Sequence, residues 1–273
     1  MNSVEYRGYL HEEWRLFHSA DRRNMDFDVH AHAFHKLVVC LSGHVEYTIE
    51  GTVYRLSAGD VLMIPAGQLH RSVMSEKDRY ERFVLWLRPS AVDSLGEDSV
   101  RQIFIGGGVL RLQGEPWDKL LHRLTQVEKW WYSDIDGHQL LSWTYLVQAL
   151  FIVRDMSRNQ TETGRTNPRL AEIIRYISDH PSEDLSVEAL CSRFFISPSG
   201  LMHSFKKYTG CSVHAYIQKK RLHCAATMIR NGEKAISAAE SNGFSDYSAF
   251  LKAFRKEYGV SPQQVRNEGN TLK

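Results

Sequence analysis

The sequence predicts an α+β protein: a strand-rich N-terminal half, an antiparallel helix pair, and an all-helical C-terminal third. Three observations carry this. Between residues 36 and 87, short apolar runs alternate with turn signals at strand-like spacing. From Pro116 the apolar period lengthens to three and four residues, which is helical. From Pro168 onward no strand pattern returns.

The strands follow in order. K-L-V-V-C-L (36–41) is an apolar run closed by Ser42-Gly43, and H-V-E-Y-T-I (44–49) alternates, with Val45, Tyr47 and Ile49 on one face. Glu50-Gly51 is a turn into its hairpin partner T-V-Y-R-L (52–56). Ser57 to Asp60 turn the chain into V-L-M-I, which Pro65 ends, and R-F-V-L-W-L (82–87) stops before Pro89. Short strands so closely spaced suggest a sandwich or small barrel. Trp117, Leu120, Leu121, Leu124, Val127 and Trp131 then line one helix, and Leu140 to Phe151 line its partner. The polar stretch T-E-T-G-R-T-N (161–167) is the best domain boundary.

Length and composition fit this division. A chain of 273 residues accommodates about two ordinary domains. No apolar run reaches the ~20 residues of a membrane span, and the N-terminus has no secretory apolar core, so a cytoplasmic protein is expected. The four cysteines form no C-x-x-C pair and read as reduced. Charge is uneven: residues 168–273 hold 15 Lys+Arg against 10 Asp+Glu, while the rest of the chain is mildly acidic. A basic module on a separate sensor suits a polyanion partner. Gly106-Gly107-Gly108 lacks the G-K-[ST] of a phosphate loop and reads as a connection.

L-S-V-E-A-L-C-S-R-F-F-I-S-P-S-G-L-M-H-S-F-K-K-Y-T-G (185–210) reads as a helix-turn-helix, with Ser197-Pro198 opening its second helix. Ala235–Ser241, a turn at Asn242-Gly243-Phe244 and Asp246–Tyr258, capped by Ser245, make another, and residues 212–231 form a long helix between them. Arg221, Ala225, Ile236, Ala239, Gly243, Phe244, Phe250, Phe254, Gly259, Pro262 and Arg266 stand at a characteristic spacing. With both units, from about 170 to 266, the chain resembles the AraC-type (arabinose-regulator/XylS) transcriptional regulators.

The resemblance implies double-stranded DNA as partner. It makes Ser199, Met202 and His203 the outward residues of the first recognition helix, and Tyr247, Ser248 and Lys252 those of the second. Lys206, Lys207, Lys219, Lys220 and Arg255 are then phosphate-facing. It also implies an activator, a homodimer formed through the helix pair (whose apolar stripe equally suits plain packing against the barrel), and RNA polymerase as a possible further partner. Ala238, Asn242 and Gly200 depart from the pattern, in two cases by replacing an apolar residue.

Upstream, H-A-H (30–32) and P-A-G-Q-L-H (65–70) resemble the two cupin motifs. In metal-binding cupins a glutamate and a third histidine complete the site. Here the third is His70, and Lys36 (or His35, by a one-residue slip) stands at the glutamate position. Four readings compete. In one, the three histidines hold a metal used for sensing rather than for catalysis. A metalloenzyme fused to a DNA-binding tail would use His30, His32 and His70 for a divalent cation. A regulator under a partner protein would need no effector. The favoured reading is a non-enzymatic, cofactor-free sensor that binds a sugar or related polar metabolite, with His30, His32, Lys36, Tyr47, His70 and Trp86 facing it. Residues 1–27 are either a regulatory arm or a first strand. The expected division is a cupin-like effector domain at 1–110, a dimerising helix pair at 111–160, a linker at 161–168 and the double helix-turn-helix at 169–268.

Overall fold

Alternation along the central strands sorts their side chains into two cores. In β2 (His35–Ser42) Leu37 and Val39 join one cluster while Val38 and Cys40 join another. In β5 (Asp60–Ile64) Val61 and Met63 separate from Leu62 and Ile64 in the same way, so this sheet is buried on both faces. The computed structural model describes residues 10, 12–21, 27–74, 79–96, 98–105, 107–158 and 164–271. Most of the proposed N-terminal arm (1–9, 11 and 22–26), Gly106, and residues 159–163 around the expected boundary lie outside the described residues.

Together with β1 (Trp14–Asp21), β7 (Tyr80–Leu87) and β8 (Gly108–Arg111), these strands form a five-stranded antiparallel sheet in the order β1-β7-β2-β5-β8. A second sheet, β4-β3-β6, pairs β3 (Val45–Ile49) with β4 (Thr52–Leu56) and β6 (His70–Met74). Among the described residues no ladder joins the two sheets, so the expected barrel is an open two-sheet sandwich. The chain leaves the first sheet where the β2–β7 register shifts between Cys40 and Ser42. Gly43 follows at φ 82, where a Cβ would meet the Arg79 carbonyl oxygen at 2.4 Å.

Two short helices, α1 (Pro89–Asp93) and α2 (Asp98–Arg101), precede β8. Helices α3 (Glu115–Trp131) and α4 (His138–Ser157) pack on the outer face of the large sheet through Leu120, Leu124, Val127, Leu146, Leu150 and Val153. The tryptophan stripe of the helix pair largely faces this core: Trp117, Trp131 and Trp143 pack against it, and Trp14 lies 4.6 Å from Trp131. Within the helix pair, the large apolar side chains left in solvent cluster at the hairpin tip, at Tyr132, Ile135, Leu140 and Leu141.

The remainder is helical: α5 (Pro168–Asp179), α6 (Val187–Phe194), α7 (Pro198–Thr209), α8 (Val213–Arg230), α9 (Ala235–Ser241), α10 (Tyr247–Tyr258) and α11 (Pro262–Thr271). The side chains of Asn167, Ser186, Ser197 and Ser212 cap α5 to α8 by accepting a backbone amide three residues on. The cap of α10 is Asp246 rather than Ser245: its carboxylate accepts from both Ser248 and Ala249 amides, which one hydroxyl serves less well. Arg221 ties the two units together by donating to the carbonyls of Pro181, Glu183 and Gly243. Asn242 is buried, with its amide on the Ala238 carbonyl at 2.8 Å, so this departure from an apolar turn is satisfied.

The sandwich docks directly on the first helical unit. Val29 and Leu69 belong to the core formed by α5 to α8, Arg165 pairs with Val53 at the edge of β4, and Ile174 lies against Gly51. Glu50, held at φ 46, accepts hydrogen bonds from the Leu69 amide, the Lys220 ammonium and the Tyr216 hydroxyl.

Candidate effector cavity and nucleic-acid interface

Helix α7 buries Leu201, Phe205 and Thr209, which leaves the opposite face to solvent. Ser199, Met202, His203 and Lys206 lie there at i, i+3, i+4 and i+7, with Lys207 beside them, all exposed. In α10 the buried set is Phe250, Phe254 and Tyr258, and Ser248, Lys252 and Arg255 form the exposed row with Tyr247 adjacent. Every residue expected to meet DNA on the two recognition helices therefore stays accessible with the sandwich docked. Two lysines expected to face phosphate do not. Lys220 is 8% exposed and paired with Glu50 at 2.5 Å, and Lys219 bonds Glu257 at 2.8 Å. Lys220 therefore ties α8 to the sandwich, and Lys219 ties α8 to α10 within the helical domain.

The inner faces of the two sheets enclose a cavity of about 340 Å³. His30, His32, Lys36, Tyr47 and Trp86 line it as expected. His70 is not among the lining residues; it is buried, 1% exposed, against the His30 and His32 rings. Phe17, Phe27, Phe34 and Val84 give the cavity a more apolar lining than the sequence suggested, and Arg82, Ser72 and Asp28 add polar groups. Phe34 continues the alternation of His30 and His32 and was within reach of sequence reasoning; Arg82 carries no local signal. Arg82 is neutralised by Asp21 at 2.6 Å, whereas the Lys36 ammonium sits over the Tyr47 ring at 5.6 Å with no carboxylate partner among the described residues. The Trp86 indole N–H is buried without an acceptor.

The three histidines form one cluster, with ring centroids 4.4 Å (His30–His70) and 4.7 Å (His32–His70) apart. Each Nδ1 contacts a backbone carbonyl, of Asp28, Phe34 and Gln68, at 2.7 to 2.9 Å. That places the proton on Nδ1 and the lone pair on Nε2. Burial, reinforced by Lys36, lowers the pKa of His30 to about 4, and burial takes those of His32 and His70 well below the ordinary value. The rings are neutral at physiological pH. A ligand-capable nitrogen of each lies within 4.8 Å of the others, and the Nε2 atoms of His32 and His70 are buried with no hydrogen-bond partner. Three neutral imidazoles with carbonyl-anchored Nδ1 atoms and two orphaned Nε2 lone pairs fit a divalent transition cation. Lys36, a fourth group at the cluster, does not.

One extended segment links this cavity to the helices. Asp28, His30, His32 and Phe34 line the cavity, while Val29 and Ala31 between them pack into the core of α5 to α8. His30 and His70 exchange backbone hydrogen bonds at 3.0 and 2.9 Å, and Leu69, next to His70, enters the same helical core. Among the described residues no helix is long and apolar enough to cross a membrane.

Two family models match the chain. An AraC-like ligand binding domain family matches residues 16–124, and a helix-turn-helix domain family matches residues 190–268. The chain is 28% identical over 254 residues to the HTH-type transcriptional activator RhaS of Escherichia fergusonii, covering 88% of this chain and 87% of that one. It is 30% identical over 173 residues to the regulatory protein PocR of Salmonella typhimurium, covering 59% and 56%. A crystal structure of ToxT from Vibrio cholerae aligns with 94% of this chain and 98% of its own, at 11% identity and a TM-score of 0.40.

Proposed function

Because the chain belongs to the AraC-type family of DNA-binding transcription regulators with an N-terminal ligand-binding domain, we propose that it is a cytoplasmic, dimeric activator whose DNA binding answers to a small polar effector in the sandwich cavity. Helices α7 and α10 enter successive major grooves. Ser199, Met202, His203, Tyr247, Ser248 and Lys252 meet base edges, and Lys206, Lys207 and Arg255 meet phosphates. The exposed apolar tip of α3 and α4 extends the surface through which two copies associate, and RNA polymerase is contacted once the dimer is seated. The chain performs no catalysis in this reading.

The observation that carries the effector reading is segment 28–32. Its alternate side chains line the cavity and enter the helical core, so a ligand that shifts His30 or His32 also shifts Val29 and Ala31. An effector acts only through its different affinity for the two arrangements. Aromatic walls with Lys36, Trp86 and Ser72 suit a sugar or sugar acid, stacked on its apolar face and bonded through its hydroxyls.

A thermal-shift screen of sugars, sugar acids and small carboxylates tests this reading, since a ligand stabilises the chain by mass action. A compound that binds should change DNA affinity by roughly 5- to 150-fold, the ordinary range of allosteric coupling. A compound that stabilises the chain through the cavity yet leaves DNA affinity unchanged contradicts the proposal.

A further inference from the structure

Among the described residues two that are not glycine hold a positive φ, Glu50 and Phe195. The Glu50 carboxylate accounts for its placement by accepting three hydrogen bonds across the seam. Phe195 gains nothing comparable. It closes α6 in the left-handed conformation, at φ 49 and ψ 49, where its amide donates to the Cys191 carbonyl and the Ile196 amide does the same at 3.2 Å. Those bonds belong to the backbone, so the turn needs the conformation but not the ring, and glycine adopts it without steric cost. The ring is also 85% exposed, while Phe194 and Ile196 on either side pack into the core of α5 to α8. A strained backbone under a solvated aromatic marks a residue kept for what it meets outside the chain.

We propose that Phe195 is a further base-contacting residue of the first helix-turn-helix, seating its ring on the 5-methyl group of a thymine at the edge of the block that α7 meets. This rests on α7 entering the major groove and adds a residue from outside the recognition helices. Phe195 lies two residues before Ser197, the N-cap of α7, and the N-terminal end of a recognition helix is the part that approaches base edges. That end is thin in side chains, since Ser197, Pro198, Ser199 and Gly200 are all short. At Gly200 an added Cβ would stand 3.0 Å from Ser197 Oγ and 3.4 Å from Ile196 Cγ1. This close approach keeps Ile196 on the core and leaves Phe195 pointing outward. Phe195 and Met202 are then the large exposed apolar side chains between Pro168 and Arg230. A phenyl ring offers no hydrogen bond to a phosphate or a guanine edge, whereas the thymine methyl is an apolar group displayed in the major groove.

The test starts from duplexes that the full-length wild-type chain enriches out of a random pool. Each thymine in and beside the α7 block, the block that Met202→Ala relaxes, is replaced in turn by deoxyuridine, which lacks only the methyl. Affinity is read by fluorescence anisotropy at one salt concentration. One replacement should weaken wild type about fourfold, the worth of burying one methyl-sized group. Phe195→Gly should bind the parent duplex about fourfold more weakly and be indifferent to that replacement. Phe195→Tyr, which keeps the ring, should retain the response. The unfolding midpoint of Phe195→Gly should equal or exceed that of wild type, because the turn loses its strain. Wild type indifferent to every replacement, or Phe195→Gly as sensitive as wild type, overturns the thymine contact; a ring that serves a protein partner instead gives the first of these. A lower midpoint for Phe195→Gly overturns the claim that the fold does not need the ring. A pool with no enriched block overturns base reading by α7 itself, and this contact with it.

Discussion

Replacing Glu50 by glutamine removes one charge from the seam between sandwich and helices at nearly constant volume. The carboxylate accepts from the Lys220 ammonium at 2.5 Å, from the Leu69 amide at 2.7 Å and from the Tyr216 hydroxyl. Lys220 is 8% exposed, so the ammonium left behind has little access to water. Breaking a buried pair by removing one partner costs about 3–5 kcal/mol. The Glu50 side chain keeps 19% of its surface, which places the expected loss at the lower end, about 3 kcal/mol. The chain can limit that loss by undocking, which returns Lys220 to water. The effect therefore shows first as lost coupling between the domains. Urea unfolding followed by far-UV circular dichroism and tryptophan fluorescence should give coincident transitions for wild type and separated ones for Glu50→Gln. Lys220→Met in the Glu50→Gln background removes the stranded charge and should restore coincidence, with an interaction energy of about 2 kcal/mol in the double-mutant cycle. Coincident transitions in Glu50→Gln at unchanged midpoint, with additive double-mutant behaviour, would refute the seam as described.

Other expectations follow from the same geometry. Lys252→Ala should weaken binding to duplex DNA and relax base preference at the position it meets, at a cost of about 1–3 kcal/mol; an unchanged affinity removes it from the interface. Gly67 sits at φ 84 with an added Cβ only 2.8 Å from His223 Nε2, so Gly67→Ala should lower the unfolding midpoint and loosen docking. Differential scanning calorimetry reads this, and an unchanged endotherm contradicts it. Burial lowers the pKa of both His35 and His223 to about 4, with Lys220 adding to the effect at His223. Unfolded, both take a proton near 6.5, so their stabilising contribution is complete above that pH and falls as pH drops toward 4, by about 1.4 kcal/mol per pH unit each. Urea midpoints between pH 7 and 4.5 should show the decline, and His223→Gln should flatten part of it. Arg221→Ala strands three carbonyl acceptors between the helical units and should cost about 2 kcal/mol or more by urea unfolding.

What the sequence revealed and what it hid divide along physical lines. Both recognition helices were legible because their signals are local: an apolar period in each, a serine cap followed by proline at α7, and a glycine stop at Gly210 and Gly259. The alternation of Val45, Tyr47 and Ile49 disclosed β3, whereas β6 (H-R-S-V-M) and β8 (G-V-L-R) are too short and too polar or glycine-flanked to announce themselves. Lys220 read as a phosphate contact because its partner Glu50 lies 170 residues away in the chain. The cavity was legible in His30, His32 and Lys36, whose two-residue and four-residue spacing keeps them near one face. The recession of His70 from the wall was not, since it depends on the pairing of β6 with the 28–32 segment.

The central claim is that α7 and α10 together read a specific sequence. Selection from a random-duplex pool with the full-length chain tests it most directly. The account predicts an enriched site made of two short blocks on the same face of the duplex, centred about one turn (~10 base pairs) apart, with Met202→Ala or His203→Ala relaxing one block and Lys252→Ala affecting only the other. A pool that binds through its phosphates but yields no enriched block, or a single block insensitive to α7, would contradict it.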